Sequence, residues 1–304
     1  MKAGSQSSSG LPQAFAAYLA WGLLPLYFHL LRDVPALEVV GWRILFTVPV
    51  CLVIVAFRRQ FGQVAHALVS PRTLAALTLS AFLIGTNWVV YVIAIATDHV
   101  FAASLGYYIN PLMNVLAGTV FLKERLSPRR WVAVALAAIG VVILAWGALN
   151  TLWISMTLAL SFCGYGLVRK VAPVGALPGL TVETIVLIVP ALGVLFWLAG
   201  QPAGLSLGDS ATVDVTLAFA GVITGVPLLL FATAARRMSY SALGFVQFLT
   251  PTMVFLLGLF VFQEPLKPAQ LASFVMIWCA IAVFCWDLLQ ARKRALQAEA
   301  EAPA

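Results

Sequence analysis

The 304 residues are 62% apolar and only 10% charged, against roughly 45–50% and about 25% in a soluble globular domain. No water-soluble fold of this size hides so much apolar surface, so the bilayer is the expected solvent, where a helix needs about 20 mostly apolar residues to cross about 30 Å of hydrocarbon. The formal charge of +7 does not point to nucleic acid, because the basic residues lie in short stretches between apolar runs and no basic domain carries a binding face.

In chain order, residues 1–12 form a short, Ser-rich tail carrying only Lys2. No small-residue cleavage site closes the first apolar run before Trp21-Gly22 and Pro25, so that run is expected to be a retained helix and not a signal peptide. Apolar runs bounded by charge or turn residues then predict ten transmembrane spans: 14–31, 37–57, 73–96, 100–122, 130–147, 152–168, 179–199, 212–234, 240–262 and 269–288. Connections are short, the Gly/Pro/Ser-rich linker from Gly200 to Asp214 reads as surface, and residues 289–304 form a second tail, expected to fray after Arg294. Cys51, Cys163, Cys279 and Cys285 fall inside apolar spans without metal-ligand spacing and are expected to be buried as small hydrophobes.

With the N-terminus inside, the cytoplasmic segments hold Lys2, Arg58, Arg59, Arg72, Lys123, Arg125, Arg129, Arg130, Arg169, Lys170, Arg236, Arg237, Arg292, Lys293 and Arg294, fifteen in all. The outer segments hold Arg32 and Lys267, and Arg43 lies within a span. Short loops rich in Lys and Arg stay inside, so both termini are expected in the cytoplasm.

The chain also repeats itself at an offset of 140 residues. Ala102, Pro111, Met113, Leu116, Gly118, Glu124, Leu126, Pro128 and Trp146 recur as Ala242, Pro251, Met253, Leu256, Gly258, Glu264, Leu266, Pro268 and Trp286, and Gly85 and Ala94 fall on Gly225 and Ala234. Five spans per half is an odd number, so the second copy enters the membrane from the other side, the inverted-topology repeat of many secondary transporters. The expected fold is all-α and integral to the membrane, with five-span units at 13–147 and 152–288 and a site between them at mid-depth.

The stretch NWVVYVIAIATDHVFAASLGYYINPLMNVLAGTVFLKERL from Asn87 to Leu126 resembles the signature of RarD-type members of the EamA, or drug/metabolite transporter, family. WGLLPLYFHLL from Trp21, LPGLTVET from Leu177 and the run from Gly221 to Thr252 agree with it, so the resemblance covers residues 13–288. It implies two EamA-like five-helix repeats in a permease of the bacterial inner membrane, with relatives that export amino acids and other metabolites, and it implies no particular substrate. One departure is Ile93-Ala94-Ile95-Ala96-Thr97, where a Trp is expected in this group; if that Trp lines the family's site, selectivity differs here.

Polar side chains inside hydrocarbon are costly when unpaired and therefore face the bundle interior or a wet cavity. Asn87 and Tyr91 share a face of the third span with Trp88 beside them; Tyr107, Asn110 and Asn114 share a face of the fourth, and the repeat carries that stripe onto Gln247, Thr250 and Val254 of the ninth. Two readings stand for Asn87, Trp88, Tyr91, Tyr107, Asn110, Asn114, Gln247 and Thr250: they line a solute cavity, or the amides glue helices together. Pro111, next to Asn110, removes a backbone donor and is expected to loosen the fourth span. Gly118 and Gly258 read as close helix contacts.

Arg43 lies about seven residues into the second span, roughly 10 Å from its outer end. Its repeat mate is Glu183, placed similarly from the inner end of the seventh. Either each snorkels to its nearer interface, or Arg43 contacts an anion or carboxylate at the outer mouth and Glu183 acts as a gate or proton-linked carboxylate at the inner one, their opposite depths arguing against a direct pair. Glu124 and Glu264 read as loop and helix-end electrostatics, and Ser127 as a cap ahead of Pro128. Trp131, Trp146, Trp153, Trp197 and Trp286 read as interfacial belts, and His29 and His99 as lone structural or surface residues.

Neither GxxxxGK[ST] nor HExxH occurs, and the GxSxG spacing at Gly204-Leu205-Ser206-Leu207-Gly208 falls in the Gly/Pro/Ser-rich linker and makes no strand-to-helix elbow, so neither a nucleotide-driven pump nor a motif-bearing hydrolase is supported. No catalytic residue, cofactor or metal is expected. The reading is a secondary permease, in the exporting direction, for a small organic metabolite such as an amino acid or related anion, with the solute and the lipid bilayer as partners, no nucleic acid, and monomer or homodimer left open. An intramembrane lipid-modifying enzyme would need a His/Asp/Glu cluster, and Asp98-His99 has no third member; a membrane sensor would need an effector domain.

Overall fold

The computed structural model describes residues 10–97, 99–263 and 268–300, with residues 147, 148, 292 and 294–300 by backbone alone. Asp98, Glu264, Lys267, most of the N-terminal tail and the last four residues, which figured in the sequence reading, lie outside the described residues, as do the side chains of Arg292 and Arg294.

Every regular element among the described residues is helical. The first expected span is two helices, α1 (Leu11–Gly22) and α2 (Leu24–His29), separated at Leu23. Pro25 has no N–H to continue the first helix, and at Gly22 the chain passes close to a later helix, since a Cβ there would lie 2.5 Å from Met253 Cβ. The second span is α3 (Ala36–Phe57), ended by Arg59 in the left-handed region at φ 52°. Residues expected as a plain loop then form α4 (Phe61–Val69), a short helix that buries Val64 and Ala67 and leaves Phe61, Leu68 and Val69 exposed. The alternation of apolar and polar faces over nine residues was too short to register as a span.

There follow α5 (Pro71–Ala96), α6 (Val100–Val120), α7 (Pro128–Ala145), a single 3-10 turn, α8 (Leu152–Val171), α9 (Ala176–Ala199) and α10 (Ala211–Arg237). The ninth expected span is again broken, into α11 (Tyr240–Gln247) and α12 (Leu249–Phe260), and α13 (Pro268–Ala300) runs well past the expected end at 288. The loosening expected at Pro111 does not occur there, because α6 continues through it, held on both sides by α8 and α11. It occurs at the repeat mate Pro251, whose ring opposes the Gln247 carbonyl four residues earlier.

Helix starts recur at the offset of the sequence repeat: Ala36 with Ala176, Pro71 with Ala211, Val100 with Tyr240, Pro128 with Pro268. Backbone detail recurs as well, with Lys123 and Gln263 both at φ 55°. Nine helices among the described residues are long and apolar enough to cross a membrane. The count is nine and not the expected ten because the first span is split into pieces of twelve and six residues. The surface carries Val189, Phe196, Trp197 and Phe82, while Thr47, Ser80, Asn114 and Ser155 are fully buried. That inversion of a soluble protein's pattern marks a multi-pass membrane protein. It also corrects the cysteine expectation: Cys51 and Cys163 are buried, but Cys279 and Cys285 are exposed on α13, since an apolar side chain here is equally at home against lipid. The five span-end tryptophans named above are exposed wherever they are described.

The bundle has two distinguishable ends. At one, the 58–72 segment, the 121–127 and 172–175 connections and the α10–α11 junction gather, tied by Lys170 Nζ to Ala235 O and Met238 O (2.9 and 2.6 Å) and by Arg236 Nη1 to Ala172 O (2.6 Å). We call this the basic end. At the other, Glu38, fully buried, accepts hydrogen bonds from Ser206 N and Oγ, both 2.9 Å, and from Trp42 Nε1, pinning the long linker to α3. Within the bundle α3 packs on α9 and α10, α5 on α8 and α9, α6 on α8 and α11, and α7 with α13 forms a lateral pair.

A close helix crossing joins α3 and α10, where a Cβ on Gly221 would strike the Phe46 carbonyl and Thr47 Oγ1 donates to Gly221 O at 3.3 Å. Gly221→Val is therefore expected to cost about 1–3 kcal/mol and lower the thermal unfolding temperature in detergent by several degrees. Gly62→Ala on α4, where nothing lies within 4 Å, is expected to leave it unchanged or raise it slightly; equal effects of the two would contradict this packing.

Candidate functional site

Arg43 is carried by α3 seven residues from Ala36, about 10 Å from the end opposite the basic one. Tyr107 stands at the same remove from the start of α6, and Trp88 and Tyr91 lie in the last turns of α5, so three elements deliver their side chains to one depth. Arg43 Nε donates to Thr224 Oγ1 on α10 at 2.9 Å. Its guanidinium carbon is 4.9 Å from the Trp88 ring centroid and 5.6 Å from that of Phe28, inside the roughly 6 Å over which an aromatic face attracts a cation. Phe28 arrives because α2 swings away from α1 at Leu23, and Tyr27 fixes it by donating to Thr216 O at 2.7 Å. Tyr27, Tyr91 and Tyr107 complete the electrostatic surroundings of the guanidinium, the last two meeting edge-on at 6.1 Å.

No carboxylate pairs with Arg43 among the described residues, and its terminal nitrogens make no hydrogen bond there. Arg43, Trp88 and Tyr91 are half-buried and Tyr107 is 39% exposed. Trp88 and Tyr91 also pack against buried apolar side chains, so the group sits at the edge of the core and keeps accessible surface.

One to two turns deeper along α6 the amides are engaged with protein. Asn110 Nδ2 donates to Ala159 O on α8 at 2.7 Å, Asn114 Nδ2 to Asn110 Oδ1 at 3.2 Å and to Gln247 Oε1 on α11 at 2.6 Å, and the Tyr18 hydroxyl approaches the same Oε1 at 3.5 Å. Thr250 closes the chain by donating to Tyr18 O at 2.9 Å. Asn110, Asn114 and Gln247 are nearly fully buried. The helices come this close because Gly244 faces the Pro111 carbonyl, where a Cβ would lie 2.6 Å away. Asn87 belongs to neither group: its Nδ2 donates to Leu158 O and Ser161 Oγ at 2.8 and 3.1 Å, joining α5 to α8.

Toward the basic end, five rings close the interior. Tyr18, Trp21, Phe162, Tyr165 and Phe231 form a cluster with centroids 5.2–6.2 Å apart, and Tyr18, Tyr165 and Phe231 are wholly inaccessible. Beneath them sits Glu183 on α9. Ser80 on α5 donates to its Oε1, and Arg169 Nε on α8 lies 3.4 Å from the same oxygen. Arg169 was counted among the loop charges in the sequence, yet it is completely buried, its place in the bundle made by Gly179, whose Cβ would overlap the guanidinium. Glu183 thus does not snorkel. At the basic surface Glu124 accepts from Tyr240 N, Ser241 N and Ser241 Oγ at 2.6, 2.9 and 2.7 Å, an anion at the start of α11, with Gly118 leaving room for it. Ser127 caps α7 by accepting from Arg130 N at 3.3 Å.

Of the residues singled out in sequence, Arg43, Trp88, Tyr91 and Tyr107 come together, Asn110, Asn114, Gln247 and Thr250 form a second group, and Asn87 and Glu183 stand apart. Thr224, Phe28, Tyr18, Ser80 and Arg169 were not singled out. Tyr18 and Thr224 carry the same signal as the amides, a hydrogen-bonding side chain within an apolar run. Nothing local to Arg169 separates it from a loop arginine.

Residues 8–146 match the EamA-like transporter family. An uncharacterized transporter of Pseudomonas aeruginosa is 42% identical over 285 residues, covering 94% of this chain and 96% of its own. Protein RarD of Streptomyces exfoliatus is 38% identical over 304 residues, covering 100% and 96%, and Protein RarD of Salmonella typhimurium is 38% identical over 289 residues, covering 95% and 98%. A crystal structure described only as that of a protein is 21% identical, covers 95% of this chain and 100% of its own, and superposes with a TM-score of 0.72, which is a likeness of fold.

Removing Asn114 leaves the Asn110 and Gln247 oxygens short of a donor inside the bundle. Asn114→Ala is expected to cost about 1–3 kcal/mol, read as a lower unfolding temperature at unchanged membrane insertion. An unchanged unfolding temperature would move Asn114 from helix contact to solute contact.

Proposed function

The chain belongs to the EamA-like transporter family among its RarD-type members, and on that premise we propose that this membrane transporter is a secondary permease for a small organic anion, such as an amino acid or a related carboxylate, working by alternating access in the exporting direction. The observation that carries the proposal is the unpaired Arg43. A cation about 10 Å into the bundle, without a carboxylate among the described residues, keeps most of its desolvation cost until an anion arrives. Its free terminal nitrogens suit a carboxylate, which accepts two parallel N–H bonds from one guanidinium, and Trp88, Tyr91, Tyr107 and Phe28 suit the solute's apolar or planar part.

The rest of the scheme follows from the same premise. The basic end faces the cytoplasm, α1 and α2 together make the tenth span, and units of five spans at 13–147 and 152–288 form an inverted repeat, a reading supported by the recurrence of helix starts. In this state the Arg43 group opens outward while the five-ring cluster and the Glu183 group seal the cytoplasmic side. The setting is a bacterial inner membrane, in keeping with the bacterial relatives.

Overproduction of the protein is expected to raise the outside-to-inside ratio of a set of organic anions in untargeted metabolite profiles. Arg43→Ala, at equal membrane abundance, is expected to weaken solute binding by at least tenfold, the loss of a buried charge-assisted pair of about 2–5 kcal/mol, and to abolish the shift. A profile unchanged by Arg43→Ala overturns the site. For topology, a reporter active only outside the cytoplasm is expected to be silent when fused after Arg294 and active within the 200–210 linker; activity after Arg294 would refute the even number of spans.

A further inference from the structure

A solute site built on Arg43 leaves the Glu183 cluster unexplained. Eight buried side-chain polar atoms among the described residues find no hydrogen-bond partner, and four of them are here: Arg169 Nε and Nη1, Glu183 Oε2 and the Tyr165 hydroxyl. Arg169 and Glu183 are 0% and 1% exposed. Their ion pair runs through one carboxylate oxygen, Oε1, which Ser80 also engages, and Oε2 is left over. A buried ion pair of such one-sided geometry returns little of its desolvation cost. Arg169 has a second anchor, Nη2 to Ala176 O at 2.7 Å, that does not depend on the charge of Glu183.

We propose that Glu183 is a proton-binding site, and that its protonation unlocks the basic end of the bundle, so that movement of the solute is coupled to a proton. This rests on the permease reading above. A proton from water adds to Oε2. The neutral acid then has an O–H to donate, and the Tyr165 hydroxyl, which offers its own donor to the charged carboxylate, turns to accept it. Ser80 keeps its bond to Oε1, now a carbonyl oxygen. Arg169 loses its counter-charge and is held only by Ala176 O, so the contact joining α5, α8 and α9 gives up its ionic component. No covalent bond other than O–H forms, and the proton leaves to water by the reverse step once the basic end is open.

The groups facing the carboxylate from each packed element are few. From α8 come Arg169 and Tyr165, from α5 Ser80, and from α3 Cys51, whose thiol meets Thr181 and Thr184. Arg236 on α10 adds positive charge near Arg169 while bonded to Ala172 O, and α4 carries His66 beside the 173–175 connection. Arg169 is the one opposite charge in direct contact with Glu183 among the described residues.

Hydrogen exchange measured by mass spectrometry on the purified full-length protein tests this without any solute, so its failure is separable from failure of the Arg43 site. At about pH 8, segments spanning residues 165–187 of Glu183→Gln are expected to exchange roughly tenfold faster than wild type, and at about pH 5.5 the two are expected to agree, with α7 and α13 unchanged as the measure of intact fold. Equal exchange at both pH values, or the same ratio at both, overturns the proposal. Should Glu183→Gln lose protection throughout, Ser80→Ala decides: lacking the Ser80 donor, the carboxylate binds its proton more readily, and the midpoint of pH-dependent exchange in the same segment is expected to rise. An unmoved midpoint overturns the proposal.

Discussion

Hydrocarbon offers no hydrogen bond, so the polar side chains of a chain that is 62% apolar find partners in the protein, hydroxyls such as Thr181 and Thr233 on their own helix and the amides on another. That constraint orders the interior. Asn87 ties α5 to α8, Asn110 ties α6 to α8, and Asn114 reaches Gln247 across the α6–α11 crossing. Thr47 joins α3 to Gly221 of α10, and Glu38 draws the long linker onto α3. Each bond is worth about 0.6–2 kcal/mol in a membrane setting, modest singly, yet together they select one register for every helix pair. Helices in lipid gain no hydrophobic free energy by meeting one another, so close approach at glycines and such bonds carry the specificity.

Against that background the groups that remain unsatisfied stand out. Arg43 keeps its terminal nitrogens unbonded, and the Glu183 cluster holds four unpartnered buried atoms. The two are repeat mates at opposite ends of the bundle, and they have diverged: a lone cation among aromatic faces at one end, an anion with a resident arginine at the other. Arg43 remains accessible while Glu183 is sealed beneath five rings. The breaks in α1–α2 and α11–α12 serve the same asymmetry, since the first brings Phe28 to Arg43 and the second lies at Gln247, beside the amide chain.

Much of this was legible in the residues. Composition alone excludes a soluble fold; the offset of 140 residues anticipates helix starts that recur at that spacing; Arg43, Trp88, Tyr91 and Tyr107 can be picked out as anomalous within apolar runs. A polar residue in a span announces itself because its cost is local. Its partner does not, and the sequence leaves cavity lining and helix contact open for Asn110, Asn114 and Gln247 because both demand the same side chain.

Sequence by itself therefore determined the membrane class, the positions of most spans, the internal repeat and the short inventory of polar groups, since all of these depend on composition and periodicity along one chain. Only the tertiary structure decided which polar groups meet. It placed Arg169 in the interior against Glu183, divided the first span at Leu23 and the ninth at Phe248, made a helix of residues 61–69, and sent Cys279 and Cys285 outward. The physical reason is common to all: an arginine near a span end can snorkel, a proline can be carried or can break a helix, and an apolar side chain is equally content in protein or lipid. In each case the alternatives lie close in free energy within the segment, and packing against distant segments selects between them.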